Sequence, residues 1–352
     1  MDIEERLELI KKPPTEEILT ESELKILLET SSKIEHYIGF EISGYLHLGT
    51  LFISGMKIND LQKAGIKTKV FLADWHSYLN KKLGGDWERI KLFSKYYEEA
   101  FKFFCKGTEI ILGSDLYYNN NNYWEDLVKF SSHVTLKRII RCLTIMGRSI
   151  KDELTFSQFI YPPMQAIDVK YLCNIAHGGM DQRKVHVLCR EIFPKLGWEK
   201  PIAIHHHLLL GLSQPPTQIK NKEEFVLQMK MSKSKPGTAI FIHDSEKEIL
   251  EKLKNAYCPP KTVENNPVLE IVKYLIFRFK DIFLLERESK YGENLEFHSY
   301  EELEKAYLDG KIHPLDLKVN VAREINEIVK PIREHFEKPS NKKLLEPLAE
   351  ND

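Results

Sequence analysis

The chain has 352 residues, enough for two domains, one with a substantial core. Hydrophobic residues make up 42% and charged ones 29%, the mix of a folded globular protein, not a disordered one. A formal net charge of −1 advertises no polyanionic partner. Any nucleic acid must therefore be met by local basic patches such as Lys137-Arg138 with Arg141, Arg183-Lys184 or Lys342-Lys343. The five cysteines are odd in number and show no CxxC spacing, which argues against a disulfide framework or a thiolate metal site. They read as buried thiols in a reducing compartment. Met1-Asp2-Ile3-Glu4-Glu5 is acidic and lacks the apolar core of a secretory signal. No apolar run approaches the roughly 20 residues of a membrane helix, so the expectation is a cytoplasmic chain with no membrane role.

Residues 1–30 are expected to be a helical lead: 2–11 and 21–30 alternate apolar and charged residues at helical spacing, with Thr20 a candidate cap for the second. Tyr37–Ile42, Thr68–Ala73 and Glu109–Leu112 are apolar and β-branched enough for buried parallel strands, and helical segments 48–64 and 86–104 lie between them. Strand–helix alternation of this kind predicts a doubly wound α/β sheet over residues 31–244. Asn119–Asn122 reads as a surface turn, and a helical insertion is expected around residues 116–160. Beyond residue 245 the composition shifts: Glu246–Ala256, Pro267–Phe279, Tyr300–Asp309 and Pro314–Phe336 read as helices. Residues 245–352 are thus expected to be an all-α domain with a polar tail.

Four segments carry candidate chemistry. Gly44-Tyr45-Leu46-His47-Leu48-Gly49-Thr50 follows a strand and precedes a helix, the arrangement in which backbone N–H groups and a helix N-terminus meet phosphate. Lys230-Met231-Ser232-Lys233-Ser234 sets cations and hydroxyls in a loop closed by Pro236-Gly237, suited to a triphosphate; a solvated basic loop is the alternative. In Tyr161-Pro162-Pro163-Met164-Gln165-Ala166-Ile167-Asp168 the prolines suit a first helical turn with Tyr161 at the cap. Gln165 and Asp168 then follow Tyr161 at i+4 and i+7, a phenol, an amide and a carboxylate on one face. That face is either a small-molecule pocket or a solvated polar stripe. Gly178-Gly179-Met180-Asp181-Gln182-Arg183-Lys184 allows close backbone approach, with Asp181 either accepting from a ribose or serving as an N-cap. His205-His206-His207 has no nearby cysteine or carboxylate to complete a metal set, and reads as a strand-to-loop segment. No metal site is expected.

The glycine–histidine segment and the lysine loop, about 180 residues apart, resemble the HIGH and KMSKS signatures of class I aminoacyl-tRNA synthetases. Tyr37-Ile38-Gly39-Phe40-Glu41, Leu72-Ala73-Asp74-Trp75-His76, Tyr161 through Tyr171 and Gly178 through Arg190 resemble the tyrosyl-tRNA synthetase family of archaeal and eukaryotic cytoplasmic type. The likeness runs on through Ala256-Tyr257-Cys258-Pro259 and His313-Pro314-Leu315-Asp316-Leu317-Lys318.

The resemblance implies a Rossmann-like catalytic domain followed by an anticodon-binding domain from residue 245. It implies a tyrosine site of Tyr37, Tyr161, Gln165, Asp168, Gln182 and Glu41, with Tyr37 and Asp168 on the substrate hydroxyl. An ATP site is implied at Gly39, His47, Gly49, Thr50, Gly179, Asp181, Lys230, Ser232, Lys233 and Ser234, with His47, Lys230 and Lys233 catalytic. Contacts to tRNA(Tyr) are implied at Arg141, Arg183, Tyr291, His313 and Asp316. The substrates so implied are L-tyrosine, tRNA(Tyr) and ATP with Mg2+, and the assembly a homodimer. Thr50 departs from the pattern, because the HIGH-type signature ends in a second histidine; a hydroxyl keeps a hydrogen bond but brings no ring. A tryptophan-specific sister enzyme and a catalytically silent RNA-binding relative are the rival readings. Indole, with one donor and no acceptor, suits the Tyr161/Gln165/Asp168 face poorly.

Overall fold

The structure is a computed structural model and describes residues 1–216, 225 and 228–349, with the side chains of 291 and 347–349 left aside. The chain divides into two compact units, one of Met1–Gly44, Ser54–His207 and Leu344–Asp352, the other of Tyr45–Ile53 and Leu208–Lys343.

The first unit is built on a six-stranded sheet of order β1-β6-β5-β2-β3-β4. Its strands are β1 (Thr15–Leu19), β2 (Glu35–Glu41), β3 (Lys67–Ala73), β4 (Glu109–Leu112), β5 (Ile175–Gly179) and β6 (Ile202–His206). β2 to β6 run parallel, and β1 closes one edge antiparallel to β6, with Ile18 opposite Ile204. The expected doubly wound topology is present. The chain reverses its direction of travel across the sheet between β2 and β5, the place where such sheets leave a crevice beyond their strand ends.

Both faces are covered. Helices α1 (Ile3–Lys11), α2 (Glu21–Thr30) and α3 (Ser54–Lys63) enclose a core of Leu7, Ile10, Leu24, Leu28, Leu61, Ile175 and Ile204. Asp2 and Thr20 cap the first two of these helices through their side chains. The ammonium of Lys57, fully buried on α3, donates to the carbonyls of Leu9, Ile10 and Lys12 at 3.1, 3.0 and 2.8 Å. It thereby satisfies carbonyls at the C-terminal end of α1.

The opposite face carries α7 (Asn121–Ser132), α8 (Leu136–Cys142), α9 (Phe156–Leu172) and α10 (Arg183–Ile192). They share a core of Tyr37, Phe71, Tyr123, Phe130, Tyr161, Ile167 and Leu188. Ile175 faces one core and Ala176 the other, as the two-residue period of a strand requires. Short helices α4 (Asp74–Leu79) and α6 (Gly113–Tyr118) follow β3 and β4, and α5 (Trp87–Phe104) lies between those strands in sequence. The asparagine run is no mere turn, since α7 starts within it at Asn121.

In the second unit, α11 (Glu246–Asn255), α12 (Pro267–Ile271), α13 (Phe277–Phe279), α14 (Tyr300–Leu308) and α15 (Pro314–Glu337) bury Ile249, Leu253, Leu269, Leu303, Leu317, Val321 and Ile325. The all-α expectation for this region needs one correction. β7 (Phe283–Leu285) and β8 (Leu295–Phe297) form an antiparallel hairpin, with Phe283 and Leu285 buried and Leu284 exposed. Three residues are too short a run for alternation to register in sequence. Within the segment expected as a polar tail, Pro339–Ala349 form a helix, α16.

Candidate active site

The polar face expected on residues 161–168 lies on α9, buried in the first unit. The helix starts earlier than its prolines imply, at Phe156, after Thr155, whose N–H donates to Gln158 Oε1 at 2.9 Å. Pro162 and Pro163 are therefore interior, and Tyr161 is one and a half turns into the helix instead of at its cap. The i, i+4, i+7 relation survives, and Tyr161, Gln165 and Asp168 are all buried.

Asp168 has zero exposure. Its Oδ1 accepts from the hydroxyls of Tyr123 at 2.8 Å and Tyr117 at 3.2 Å. Oδ2 has no hydrogen-bond partner among the described residues, and His76 Nε2 stands 3.4 Å from it, likewise unpaired. Burial holds this carboxyl well above the usual carboxylate range, against the opposing pull of the two hydroxyls. Tyr37, from β2, is nearly fully buried, and its phenol is pushed well above its ordinary value, first by burial and then by the nearby Asp168 charge. A Cβ on Gly39 would lie 2.5 Å from the Tyr37 hydroxyl oxygen, so the pleat two residues on must be bare for that ring to lie there.

The other side of the pocket is an amide chain. Gln165 Nε2 donates to Gln182 Oε1 at 3.0 Å, and Gln182 Nε2 donates to the Ile145 carbonyl at 3.0 Å. Gln165 Oε1 is left as a buried acceptor with no partner among the described residues. Gln182 follows the end of β5, where a Cβ on Gly178 would meet its Cβ and Cγ at 2.9 Å. Glu41, at the end of β2, accepts from Asn80 Nδ2 at 2.7 Å and pairs with Lys82 at 3.4 Å. Tyr161 packs edge-on against His76, with ring centroids 4.5 Å apart. Acceptors thus gather at Asp168, beside Tyr37, and again at Gln165 and Glu41. A ligand with a hydroxyl at one end and an ammonium at the other matches them. Sequence reasoning missed Tyr117, Tyr123 and His76 as members of this pocket. Their distance from residue 168 along the chain carries no local period.

The glycine–histidine segment and the lysine loop both belong to the second unit, apart from Gly44. Segment 46–48 is tied to 240–242: Leu48 N–H donates to Ile240 O and Ile242 N–H to Leu46 O, each at 3.0 Å. Lys230 forms a bridge with Leu210, flanked by Gly211 N–H to Met229 O at 2.6 Å and Met231 N–H to Leu209 O at 2.7 Å. His47 is buried and its Nε2 lies 3.0 Å from the Thr50 hydroxyl, while Nδ1 has no partner among the described residues. Its pKa is lowered to about 3 by burial first, then by the charges of Lys233 and Lys230. The ring is therefore neutral at pH 7. Gly49 lies against that ring, where a Cβ would sit 3.2 Å from Cε1. Ser232 and Ser234 hydroxyls are 2.8 Å apart, and Pro236–Thr238 forms the expected closing turn.

The remaining expected residues are spread out. Gly179 ends β5 and Asp181 follows in the turn Met180–Gln182, which precedes α10, so Asp181 is not an N-cap. Arg183 Nε donates to both oxygens of Glu17 at 3.0 and 2.9 Å, and Arg141 is exposed on α8. His313 caps α15, its ring accepting from Leu315 N–H at 3.2 Å, and Asp316 lies in the first turn. The Tyr291 side chain lies outside the described residues. His205, His206 and His207 are strand-end residues held by hydrogen bonds to Glu17 and His186, to His177, and to Glu16 respectively. Among the described residues no group of three or more His, Cys, Asp or Glu could hold a metal ion, and no helix is long and apolar enough to cross a membrane.

A family model for tRNA synthetases class I (W and Y) matches residues 29–330. A tyrosine--tRNA ligase of Thermococcus kodakarensis is 49% identical over 361 residues, covering 96% of each chain. A crystal structure of tyrosyl-tRNA synthetase complexed with L-tyrosine from Pyrococcus horikoshii matches with a TM-score of 0.92 at 46% identity, over 99% of this chain and all of that one. A tyrosyl-tRNA synthetase structure from Aeropyrum pernix matches with a TM-score of 0.86 at 39% identity, over 99% of both chains.

Proposed function

The chain belongs to the class I tRNA synthetases of the tryptophan and tyrosine group, and from that membership we propose that it is a tyrosine–tRNA ligase. It activates L-tyrosine with ATP and transfers the tyrosyl group to tRNA(Tyr). The observation that carries the choice of tyrosine is Asp168, a fully buried carboxyl with one oxygen unpaired beside the Tyr37 phenol. A substrate hydroxyl satisfies that oxygen, and a bare phenyl ring leaves it buried and unpaired. Tyrosyl-tRNA synthetase is itself a standard illustration of this discrimination.

In the first step a tyrosine carboxylate oxygen attacks the α-phosphorus of ATP, and the bond to the β-phosphate oxygen breaks, releasing pyrophosphate. In the second, a hydroxyl of the terminal tRNA ribose attacks the acyl carbon and AMP leaves. Magnesium arrives with the nucleotide as Mg·ATP. We assign Tyr37 and Asp168 to the substrate phenol, and Tyr161, Gln165, Gln182 and Glu41 to its ammonium end. Gly39, Gly49, Thr50, Gly179, Asp181, Ser232 and Ser234 are assigned to ATP. His47, Lys230 and Lys233 stabilise charge that develops on the phosphates. Positioning and charge then carry the rate, with no covalent enzyme intermediate. Arg141 and Arg183 are assigned to the acceptor end of the tRNA, and Tyr291, His313 and Asp316, within residues 245–352, to its anticodon. We further propose a cytoplasmic homodimer. Its five free thiols fit a reducing compartment.

Pyrophosphate exchange into ATP, run with each amino acid in turn, tests this reading. Exchange is expected with tyrosine and not with tryptophan. Tryptophan-only exchange would identify the sister activity, and silence with all amino acids a non-catalytic relative.

A further inference from the structure

Both hydrogen bonds that the Asp168 side chain accepts fall on Oδ1, while His76 Nε2 stands 3.4 Å from Oδ2 without a hydrogen bond to it. Two phenols from two different helices, Tyr117 of α6 and Tyr123 of α7, converge on Oδ1. Neither hydroxyl donates to Oδ2, which has no hydrogen-bond partner among the described residues. A free carboxyl has two equivalent oxygens and a soft χ2 rotation, so nothing in Asp168 itself decides which oxygen faces a ligand. The two hydroxyls decide it.

We propose that Tyr123, with Tyr117, is a positioning residue that sets amino-acid specificity: the phenols occupy Oδ1 of Asp168 and leave Oδ2 as the acceptor for the substrate hydroxyl. The inference rests on the tyrosine reading above. Proton counting supports it. Tyr123 has one O–H and two acceptors in reach, the Met164 carbonyl at 3.0 Å and Asp168 Oδ1 at 2.8 Å. Met164 is four residues before Asp168 on α9, so its carbonyl is the helix partner of the Asp168 N–H. The Tyr123 proton is then better used on the carboxylate, the shorter contact and the charged acceptor. Tyr117 bridges, 3.2 Å from both Asp168 Oδ1 and His76 Nδ1.

A donor on Oδ1 also favours the ionised carboxyl, the form that can only accept. Without it the buried carboxyl takes a proton more readily and turns freely, and a protonated Asp168 no longer penalises an amino acid that lacks the hydroxyl.

The test is pyrophosphate exchange with tyrosine and with phenylalanine, measured on the full chain and on Tyr123→Phe and Tyr117→Phe. The tyrosine-over-phenylalanine ratio of kcat/KM is expected to fall about 10- to 100-fold in Tyr123→Phe, the scale of one hydrogen bond to a buried charge. The loss should lie mainly in the KM for tyrosine. The acid limb of its kcat/KM profile should also move to higher pH, because removing a donor raises the Asp168 pKa. Tyr117→Phe is expected to follow the same direction with a smaller change. A ratio within twofold of the parent in the folded variants overturns the proposal, even if their thermal stability drops; should Tyr123→Phe not fold, Tyr117→Phe decides by the same ratio. A parent chain that does not activate tyrosine at all would instead remove the tyrosine reading itself.

Discussion

The hydroxyl of Thr50 lies 3.0 Å from His47 Nε2, in the place where the family signature carries a second imidazole. With the ring held neutral by burial and by the lysine charges, one nitrogen is engaged by Thr50, and Nδ1, without a partner among the described residues, is the nitrogen that the proposed ATP assignment turns to phosphate. The hydroxyl thus fixes ring orientation, a role a histidine would fill with more bulk. Thr50→Val, which keeps the shape and removes the hydrogen bond, is expected to lower the exchange kcat about 3- to 10-fold, equivalent to roughly 1 kcal/mol. Unchanged kcat would reduce Thr50 to a space-filler. Gly39 is the second residue whose identity is dictated locally. An alanine Cβ would come within 2.5 Å of the Tyr37 hydroxyl oxygen and displace the ring. Gly39→Ala is therefore expected to raise the KM for tyrosine by about tenfold or more, with overpacking costing about 1–3 kcal/mol of stability. A normal KM in a crystal or solution variant with Tyr37 unmoved would refute the steric argument.

Across the strands, the sheet holds a ladder of neutral imidazoles. His36 Nε2 on β2 is 2.9 Å from His177 Nδ1 on β5, whose Nε2 is 2.8 Å from His206 Nδ1 on β6. A second pair, His186 and His205, stacks beside Glu17. Burial is the first cause in each case and lowers His36 and His205 to about 3 and His206 to about 4, with His177 and His186 also depressed. Lys69 and Lys57, and for His205 Arg183, add to this, while Asp181 opposes it at His186, His205 and His206. The sign follows from linkage. The unfolded chain binds protons near pH 6.5 that the folded chain refuses, so stability is complete above that pH and falls as pH drops toward the folded values. Each histidine contributes about 1.4 kcal/mol per pH unit in that window. Urea unfolding should show a marked loss between pH 7.5 and pH 5.5; equal stability at both would mean that the rings are protonated in the folded state.

At the scale of the molecule, segment 45–53 belongs with residues 208–343 and not with its sequence neighbours. The residues proposed to hold the amino acid and the proposed His47–lysine set are thus carried by different units, and a variant in one is expected to act on a different kinetic parameter from a variant in the other. The proposed division of labour beyond residue 245 has its own test. Asp316→Ala, in the first turn of α15, should weaken tRNA(Tyr) charging by about 1–3 kcal/mol if it meets a base, while leaving pyrophosphate exchange near the parent level. Damage to exchange with charging merely in proportion would remove the anticodon assignment.

Much of this architecture was legible from residues close together in the chain. β2, β3 and β4 are short apolar runs, α1 and α2 carry their own caps, and Tyr161, Gln165 and Asp168 share a face by the 3.6-residue period alone. The HIGH-like and KMSKS-like segments are contiguous, so composition and punctuation expose them. Interactions between distant residues were not legible. Nothing near residue 168 announces that Tyr117 and Tyr123 will meet its carboxyl, because 51 and 45 positions separate them and packing alone brings α6, α7 and α9 together. Side-chain direction was hidden even between near neighbours: Gly39 does not reveal in sequence that it makes room for a phenol two residues back, nor Thr50 that its partner is His47. The antiparallel β1 and the hairpin β7–β8 escaped for a related reason: a short strand takes its stability from the neighbour it pairs with. Local periodicity determined the elements and one polar face; which buried acceptor stays open for a ligand was decided only when the helices closed over it.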